Sequence, residues 1–413
     1  MSKEKLVPKL RFEEFKSCPD WEKYVIGDLM NVTSVKRIHQ SDWKSSGVRF
    51  LRARDIVADY KKENMDEYLY ISKERYEEYS RLSGKVQKGD LLVTGVGTIG
   101  VPYLVKDESP LYFKDGNIIW FKNNNQIEGN FLYNYFVGSR IQEYINNAAG
   151  IGTVGTYTIT SGQKTPILLP NYSEQNKIGS FLKNIDELIQ LQQSKVNKVK
   201  DIKSAYLSEM FPKEGEKYPK KRFEGFTEPW IEYSLERLGD IVGGNSWKSN
   251  EYDKEGSHLI ITIANVSGDY SVDINEGNKI TPNNNRYVLS EGDILISMTG
   301  NVGRVSRMPE VKAVLNQRVG KLVINSGIDK EFIFTILQNK KFERSMILQG
   351  QGAAQLNISR TDILDYRFKI PEYNEQKKIG QLFKNINDQI SVEEEKLMKL
   401  EKLKQAYLND MFV

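Results

Sequence analysis

The chain has a single cysteine, Cys18, in 413 residues, which excludes a disulfide framework. Its two histidines, His39 and His258, leave almost nothing for a zinc site, and no metal ligands are assigned. No apolar run reaches membrane-spanning length and no signal peptide opens the sequence, so a cytoplasmic protein without a membrane partner is expected. The net charge is only +4, so this is not a polybasic tail, and any surface for a polyanion must come from local clustering. The hydrophobic share of 39% is low and the charged share of 28% slightly high, as small globular domains with long solvated helices would give. The length allows two or three domains.

Catalytic signatures are missing too. Gly162-Gln163-Lys164-Thr165 lacks the spacing of a phosphate-binding loop. There is no Pro-Pro dipeptide, so the Asp/Asn-Pro-Pro-aromatic motif of adenine methyltransferases is absent. Pro19-Asp20 with Glu22-Lys23 lacks the separation of a nuclease carboxylate site. Gly95-Val96-Gly97-Thr98-Ile99-Gly100 fits G-x-G-x-x-G, but a dinucleotide site needs a helix to open there. Pro102 and a strand-like Tyr103-Leu104-Val105 follow instead, which predicts a hairpin turn. His39 and His258 do not match in the repeat described next; both read as surface loop residues. No catalytic residue is assigned.

What is present is a repeat. Pro170–Phe211 aligns on Pro371–Phe412 without a gap, with 19 of 42 positions identical. Both copies hold Glu-Gln-x-Lys-Ile-Gly, at Glu174–Gly179 and Glu375–Gly380, and both end in Lys-x-Ala-Tyr-Leu-x-x-Met-Phe. Repeats set the architecture and are read first. Ile386, Ile390, Leu397, Leu400, Tyr407 and Met411 recur at alternating steps of three and four, with Glu393 and Lys404 in the remaining seam positions. The first copy has Ile185, Ile189, Gln192, Val196, Val199, Lys203, Tyr206 and Met210. This is a heptad seam with polar defects in both copies. About 37 helical residues at about 1.5 Å each make a rod of roughly 55 Å. Neither copy can bury its seam alone, so the two helices are expected to pair as an antiparallel coiled coil about a pseudo-two-fold axis.

The segments before the helices also correspond. Pro8–Phe15 followed by Trp21 matches Pro219–Phe226 followed by Trp230, and Phe211–Pro219 is the boundary between the copies. Val48–Tyr60 matches His258–Tyr270, with a strand expected to end at Asp55-Ile56 and at Asn265-Val266. Gly89-Asp90 and Gly292-Asp293 are turns before the strands Leu91–Val93 and Ile294–Ile296. Glycine-rich turns follow, at Gly97–Gly100 and Gly300–Gly303. Next come a strand (Ile118–Phe121, Val319–Ile324), one amphipathic helix (Phe131–Asn146, Phe332–Leu348) and a glycine-containing loop (Gly150–Gly155, Gly350–Gly352). Short strands, turns and a few helices predict α+β domains. Around the Gly-Asp turn only 5 of 14 positions agree between Gln87–Gly100 and Ser290–Gly303. One scaffold therefore carries two different surfaces.

Polar clusters mark those surfaces. Lys36, Arg37, Trp43 and Lys44 sit in one loop-like stretch; Trp247 and Lys248 sit in its counterpart. Arg49, Arg52 and Arg54 crowd the expected strand, where the second copy has Thr262 and Asn265. Thr98 lies in the first glycine turn, and Asn301 and Arg304 flank the second. Arg318, Gln351 and Gln355 complete the set. Arg, Lys, Asn and Gln on loops pair with base edges, and Lys and Arg also hold phosphates.

The two Pro-Lys-x-Arg-Phe starts, the Gly-Asp turns, the two Pro-x-x-x-Glu-Gln-x-Lys-Ile segments at Pro170 and Pro371 and the repeated helices resemble the specificity subunits of type I restriction–modification systems. The resemblance covers nearly the whole chain. It implies two target-recognition domains, 1–172 and 213–371, with spacer helices at 173–212 and 372–413. Each domain would read one half of a split, asymmetric site on double-stranded DNA, mainly through the major groove, and the helices would set the gap. Half-sites read from one face lie roughly 34 Å apart, which such a rod can span. The resemblance further implies a recognition subunit without catalysis or bound cofactor. It would dock two modification subunits that use S-adenosylmethionine to methylate an adenine flipped into their own pocket. Restriction subunits would bring ATP, Mg2+ and translocation. Two alternatives stay open: a stand-alone DNA-binding regulator, and the recognition subunit of a related methylation-only system.

Overall fold

A computed structural model describes residues 6–63, 65, 67–150, 155–350 and 356–413. The chain divides into two compact units, residues 1–193 with 396–413, and residues 194–395. Each is α+β.

The first unit holds two four-stranded sheets. One runs Asn31–Thr33, Ile118–Lys122, Leu91–Thr94, Pro102–Leu104, all antiparallel. The other runs Trp43–Lys44, Leu69–Ile71, Val48–Leu51, Leu111–Phe113, with its last two strands parallel. The run Ile118-Ile119-Trp120-Phe121 is apolar throughout because its strand is covered on both faces. Ile118 and Trp120 join Phe50, Leu92 and Phe113 between the sheets. Ile119 and Phe121 face the other way, onto Trp21, Phe131, Phe136 and the helix residues Ile178, Leu182 and Ile185. A two-stranded ribbon, Glu22–Val25 with Pro166–Leu169, closes this second core.

The second unit repeats the plan. Its first sheet runs Gly239–Gly243, Val319–Ile324, Ile294–Ser297, Val305–Arg307. Its second runs Lys279–Ile280, His258–Ile261, Ala313–Leu315, Val288–Leu289, with the middle pair parallel. The edges differ. The first unit adds Trp43–Lys44 beyond Leu69–Ile71, whereas the second adds Val288–Leu289 beyond Ala313–Leu315.

Three local expectations are corrected. The strand from Val48 ends at Leu51, and Ala53–Lys61 is a helix. The reason is Asp55, whose carboxylate accepts from the Arg52 backbone N–H at 2.9 Å and turns the chain into a helix there. The single amphipathic helix is two in each unit: Gly129–Val137 with Ser139–Ala148, and Lys330–Leu337 with Lys340–Gln349. Gly138 and Asn339 have extended backbones at the breaks, and the Asn339 side chain caps the next helix by accepting from Lys341 N–H at 3.0 Å. His258 lies in a strand rather than a loop, with burial and the nearby Lys312 holding its imidazole below the ordinary value. Of the glycine loops, residues 151–154 and 351–355 lie outside the described residues.

The long helices run Tyr172–Glu209 and Tyr373–Asp410. Within each unit, part of one packs antiparallel on part of the other. In the first unit Phe181 meets Tyr407 edge-on at 4.9 Å and Asp186 pairs with Lys404 at 2.7 Å. In the second unit Val199 packs on Ile386 and Ile390. There Lys195 pairs with Glu393 at 3.1 Å and Phe211 meets Phe383 at 5.8 Å.

The Glu-Gln-x-Lys-Ile-Gly motif turns out to be a joint. Glu174 accepts both arms of the Arg11 guanidinium at 2.7 Å, and the indole N–H of Trp21 at 3.3 Å, with almost no exposure. Gln175 donates to Pro170 O at 2.9 Å and accepts from Glu128 N–H at 3.1 Å. A Cβ on Gly179 would meet the Glu128 carboxylate and the Phe131 backbone N, so only glycine lets the capped end of Gly129–Val137 sit on the long helix. The second unit repeats the joint with Arg222, Glu375, Gln376, Pro371, Asp329 and Gly380, except for the indole contact. No helix among the described residues is long and apolar enough to cross a membrane.

Candidate nucleic-acid interface

In each unit the antiparallel register of the first sheet gathers loops at one end. In the first unit Thr33 ends one strand, Ile118 starts the next, Thr94 ends the third and Pro102 starts the fourth. Residues 34–39, 114–117 and 95–101 therefore emerge together. In the second unit Gly243, Val319, Ser297 and Val305 occupy the matching places, which brings out 244–248, 316–318 and 298–304.

The glycine motif in the first unit is a hairpin turn, as the Pro102 and strand-like residues after it predicted. Its backbone is fixed by the strand's last side chain. The Thr94 hydroxyl donates to Thr98 O at 2.6 Å and accepts from Val101 N–H at 2.9 Å. Ser297 does the same in the second unit, donating to Asn301 O and accepting from Arg304 N–H at 3.0 Å. Gly100 and Gly303 close the turns with φ of 78° and 75°, a conformation that side-chain-bearing residues rarely adopt. Thr98 and Asn301 are thus held out at the tips, exposed, with side chains that make no hydrogen bond to the described residues.

Of the candidate cations, Lys36, Arg37, Lys248, Arg304 and Arg318 lie in these loops, while Lys44 ends the strand Trp43–Lys44 and Arg54 lies in the helix Ala53–Lys61. The backbone of Lys36 is tied at both ends, its N–H to Ser83 Oγ at 2.8 Å and its carbonyl to the Tyr112 hydroxyl at 2.7 Å, while its ammonium is exposed. Burial pushes that Tyr112 phenol up to about 12, so it stays a donor. Arg37 is exposed but leans on Asp115 at 2.8 Å, which raises the guanidinium's value further. Lys44, Lys248 and Arg318 are exposed and make no ion pair with the described residues. Arg54 is exposed at 3.8 Å from both Asp55 and Glu67. Arg304 is half-buried and pairs with Glu343 at 3.6 Å.

Four candidates face inward. Asn265 is buried, accepting from Thr262 N–H at 2.9 Å and donating to Asp273 O and Glu276 O. It anchors a turn as Asp55 does in the first unit, and its amide is used up. Arg52 sits at the start of a helix, not in a strand, and its guanidinium is spent on Asp55 and Glu67 O. Trp43 lies against Phe50, and Trp247 donates to Leu315 O at 3.3 Å and packs edge-on to Tyr287. Residue type alone could not separate these from the free side chains, because burial is set by the turn each residue makes. Gln351 and Gln355 lie outside the described residues.

One residue at this end escaped the sequence reading. Asn117 accepts the backbone N–H of Gly95 at 2.8 Å, as Arg318 O accepts that of Met298 at 3.0 Å. The two hold equivalent places beside their hairpins. Carrying the repeat register back from Arg318 would have found it.

Among the described residues no group of histidine, cysteine, aspartate and glutamate could hold a metal ion. The sheet ends offer hydroxyl, amide, ammonium and guanidinium groups on stiff backbones. Such groups hold phosphates and read base edges.

Similarity to known proteins points the same way. The family described as type I restriction modification DNA specificity domain matches residues 19–201 and 227–402. The MjaVIII specificity subunit, a type I restriction enzyme component of Methanocaldococcus jannaschii, is 26% identical over 258 residues, 59% of this chain; the chain spans 60% of that relative's length. The provisionally named MjaX specificity subunit of the same organism is 23% identical over 408 residues, 94% of this chain and 92% of that one. A crystal structure of a type I system S subunit from M. genitalium shares the fold, with a TM-score of 0.67 at 16% identity over 98% of this chain and 99% of that one.

Proposed function

Because the chain belongs to the type I restriction–modification DNA specificity family, we propose that it is the DNA-specificity subunit of such a complex. Each unit reads one half of a bipartite, asymmetric site on double-stranded DNA. The long helices shared between the units set the gap and dock two methyltransferase subunits, which methylate adenine. The chain itself recognises and does not catalyse. S-adenosylmethionine sits on the modification subunits, and ATP and Mg2+ on restriction subunits. The complex acts in the cytoplasm, where its DNA is.

The observation that carries this reading is that the same hydroxyl-locked hairpin stands at the same sheet end in both units, with a threonine at one tip and an asparagine at the other. A scaffold repeated with its presenting residues changed is what two different half-sites require. Phosphate contacts position such a protein, and groove contacts to base edges give its specificity.

The test is a genome-wide map of methylated adenine in cells that carry the chain and its modification partner, with and without this gene. Loss of one split motif on deletion is the expected result. Unchanged methylation with an active partner would sink the proposal.

A further inference from the structure

We propose that Thr98 with Asn117 in the first unit, and Asn301 with Arg318 in the second, are equivalent base-reading pairs. This rests on the DNA-recognition reading above and names where in each unit it happens.

Each pair is built the same way. A tip residue is fixed through its own carbonyl by the preceding strand's hydroxyl, from Thr94 to Thr98 O and from Ser297 to Asn301 O. Its neighbour is fixed through its carbonyl by the hairpin's first N–H, from Gly95 to Asn117 O and from Met298 to Arg318 O. None of the four side chains makes a hydrogen bond to the described residues. Backbone order with a free polar side chain is what a base contact needs, because little freedom is then lost on binding. Arg37, Arg52, Arg304 and Asn265 lie in the same regions but are committed to Asp115, Asp55, Glu343 and a buried turn.

The residue types assign base classes. Arginine reaches guanine O6 and N7 with both arms, asparagine reaches adenine N6 and N7, and threonine's methyl suits the thymine methyl. The second unit's pair therefore reads an adenine and a guanine. The first unit's pair reads an adenine through Asn117 and a thymine through Thr98.

The experiment exchanges the pairs in the complex assembled with its modification subunits. Thr98→Asn with Asn117→Arg goes into the first unit and Asn301→Thr with Arg318→Asn into the second. The purified complexes then select duplexes from a random pool. Each exchange should change one or two bases in a single half of the selected site, leave the other half alone, and weaken binding to the original site about tenfold or more. Selection of the unchanged sequence by both exchanged complexes would overturn the assignment. Arg318→Lys keeps the charge and the backbone contact, and should relax discrimination at one guanine; full discrimination there would count against Arg318. A wild-type complex that selects no split site would instead defeat the functional reading itself.

Discussion

The two units agree at their joints and differ at their sheet ends. At the joints, Arg11–Glu174 and Arg222–Glu375, Gln175 and Gln376, and Gly179 and Gly380 make the same contacts. At the ends, Thr98 stands opposite Asn301 and Asn117 opposite Arg318. The lesson is that a side chain is kept where its partner is another part of the chain, and drifts where it faces outward. A buried carboxylate beneath a guanidinium has one acceptable geometry. An exposed tip has none imposed from within.

The joints are nevertheless unequal, and mutation should show it most strongly at the ion pairs. Glu174→Gln leaves the Arg11 guanidinium charged with 5% of its side chain exposed, against 14% for Arg222. Removing one partner of a buried pair costs about 3–5 kcal/mol. The first unit should lose that much and the second less after Glu375→Gln, because water reaches Arg222 more easily. Hydrogen exchange read separately at the ribbon strand Glu22–Val25 and at its counterpart Ile231–Ser234, which pairs antiparallel with Arg367–Ile370, measures each unit on its own. Equal losses would show that exposure does not decide the cost.

The seam lysines come next. Lys404 has Asp186 at 2.7 Å, but among the described residues Lys203 has no ion pair and bonds the amide oxygen of Gln338 at 3.2 Å. The repeat puts Asn387 where the first unit has Asp186. Burial, then nearby Lys200, lowers the Lys203 ammonium below 10.5. Lys404→Met should cost about 1 kcal/mol, whereas Lys203→Met should be neutral or stabilise by about 1–2 kcal/mol, since no desolvated charge remains. The sign of the pH dependence follows. Between the lowered native value and 10.5 the unfolded chain holds the Lys203 proton and the native chain does not. Stability therefore rises with pH across that window, and is flat with respect to this group below it. Lys203→Met should remove the rise, seen as the difference between wild-type and variant denaturation midpoints from neutral to alkaline pH.

Much of this was legible in the sequence, and the failures have physical causes. The heptad seam, the paired helices, the Gly-Asp turns and the hairpin at Gly95–Gly100 follow from periodicity and turn chemistry, which are local. Glu174 and Gln175 were visible as a motif, but not as a joint, because their partners Arg11 and Glu128 are distant in the chain. Asn265 looked like a base reader because asparagine suits both a ligand and a turn; only three hydrogen-bond partners reveal which. Thr98 and Asn301 were picked by residue type. What holds them out is the hydroxyl one strand position before the turn, which no pattern of apolar residues announces.

The smallest difference should sit in the two joint tryptophans. Both are buried, Trp21 at 1% and Trp230 at 2% exposure, so Trp→Phe opens a similar cavity in either unit. The indole N–H of Trp21 donates to Glu174 at 3.3 Å, while that of Trp230 is buried and has no partner among the described residues. Trp21→Phe therefore removes a bond to a charged acceptor, and Trp230→Phe removes an unsatisfied donor. A net hydrogen bond is worth about 1 kcal/mol, and this one is long, so Trp21→Phe should cost about 1 kcal/mol more than Trp230→Phe. The same exchange measurement on each ribbon gives the two values. A larger loss at Trp230 would mean that its ring shape, rather than its N–H, is what the second joint requires.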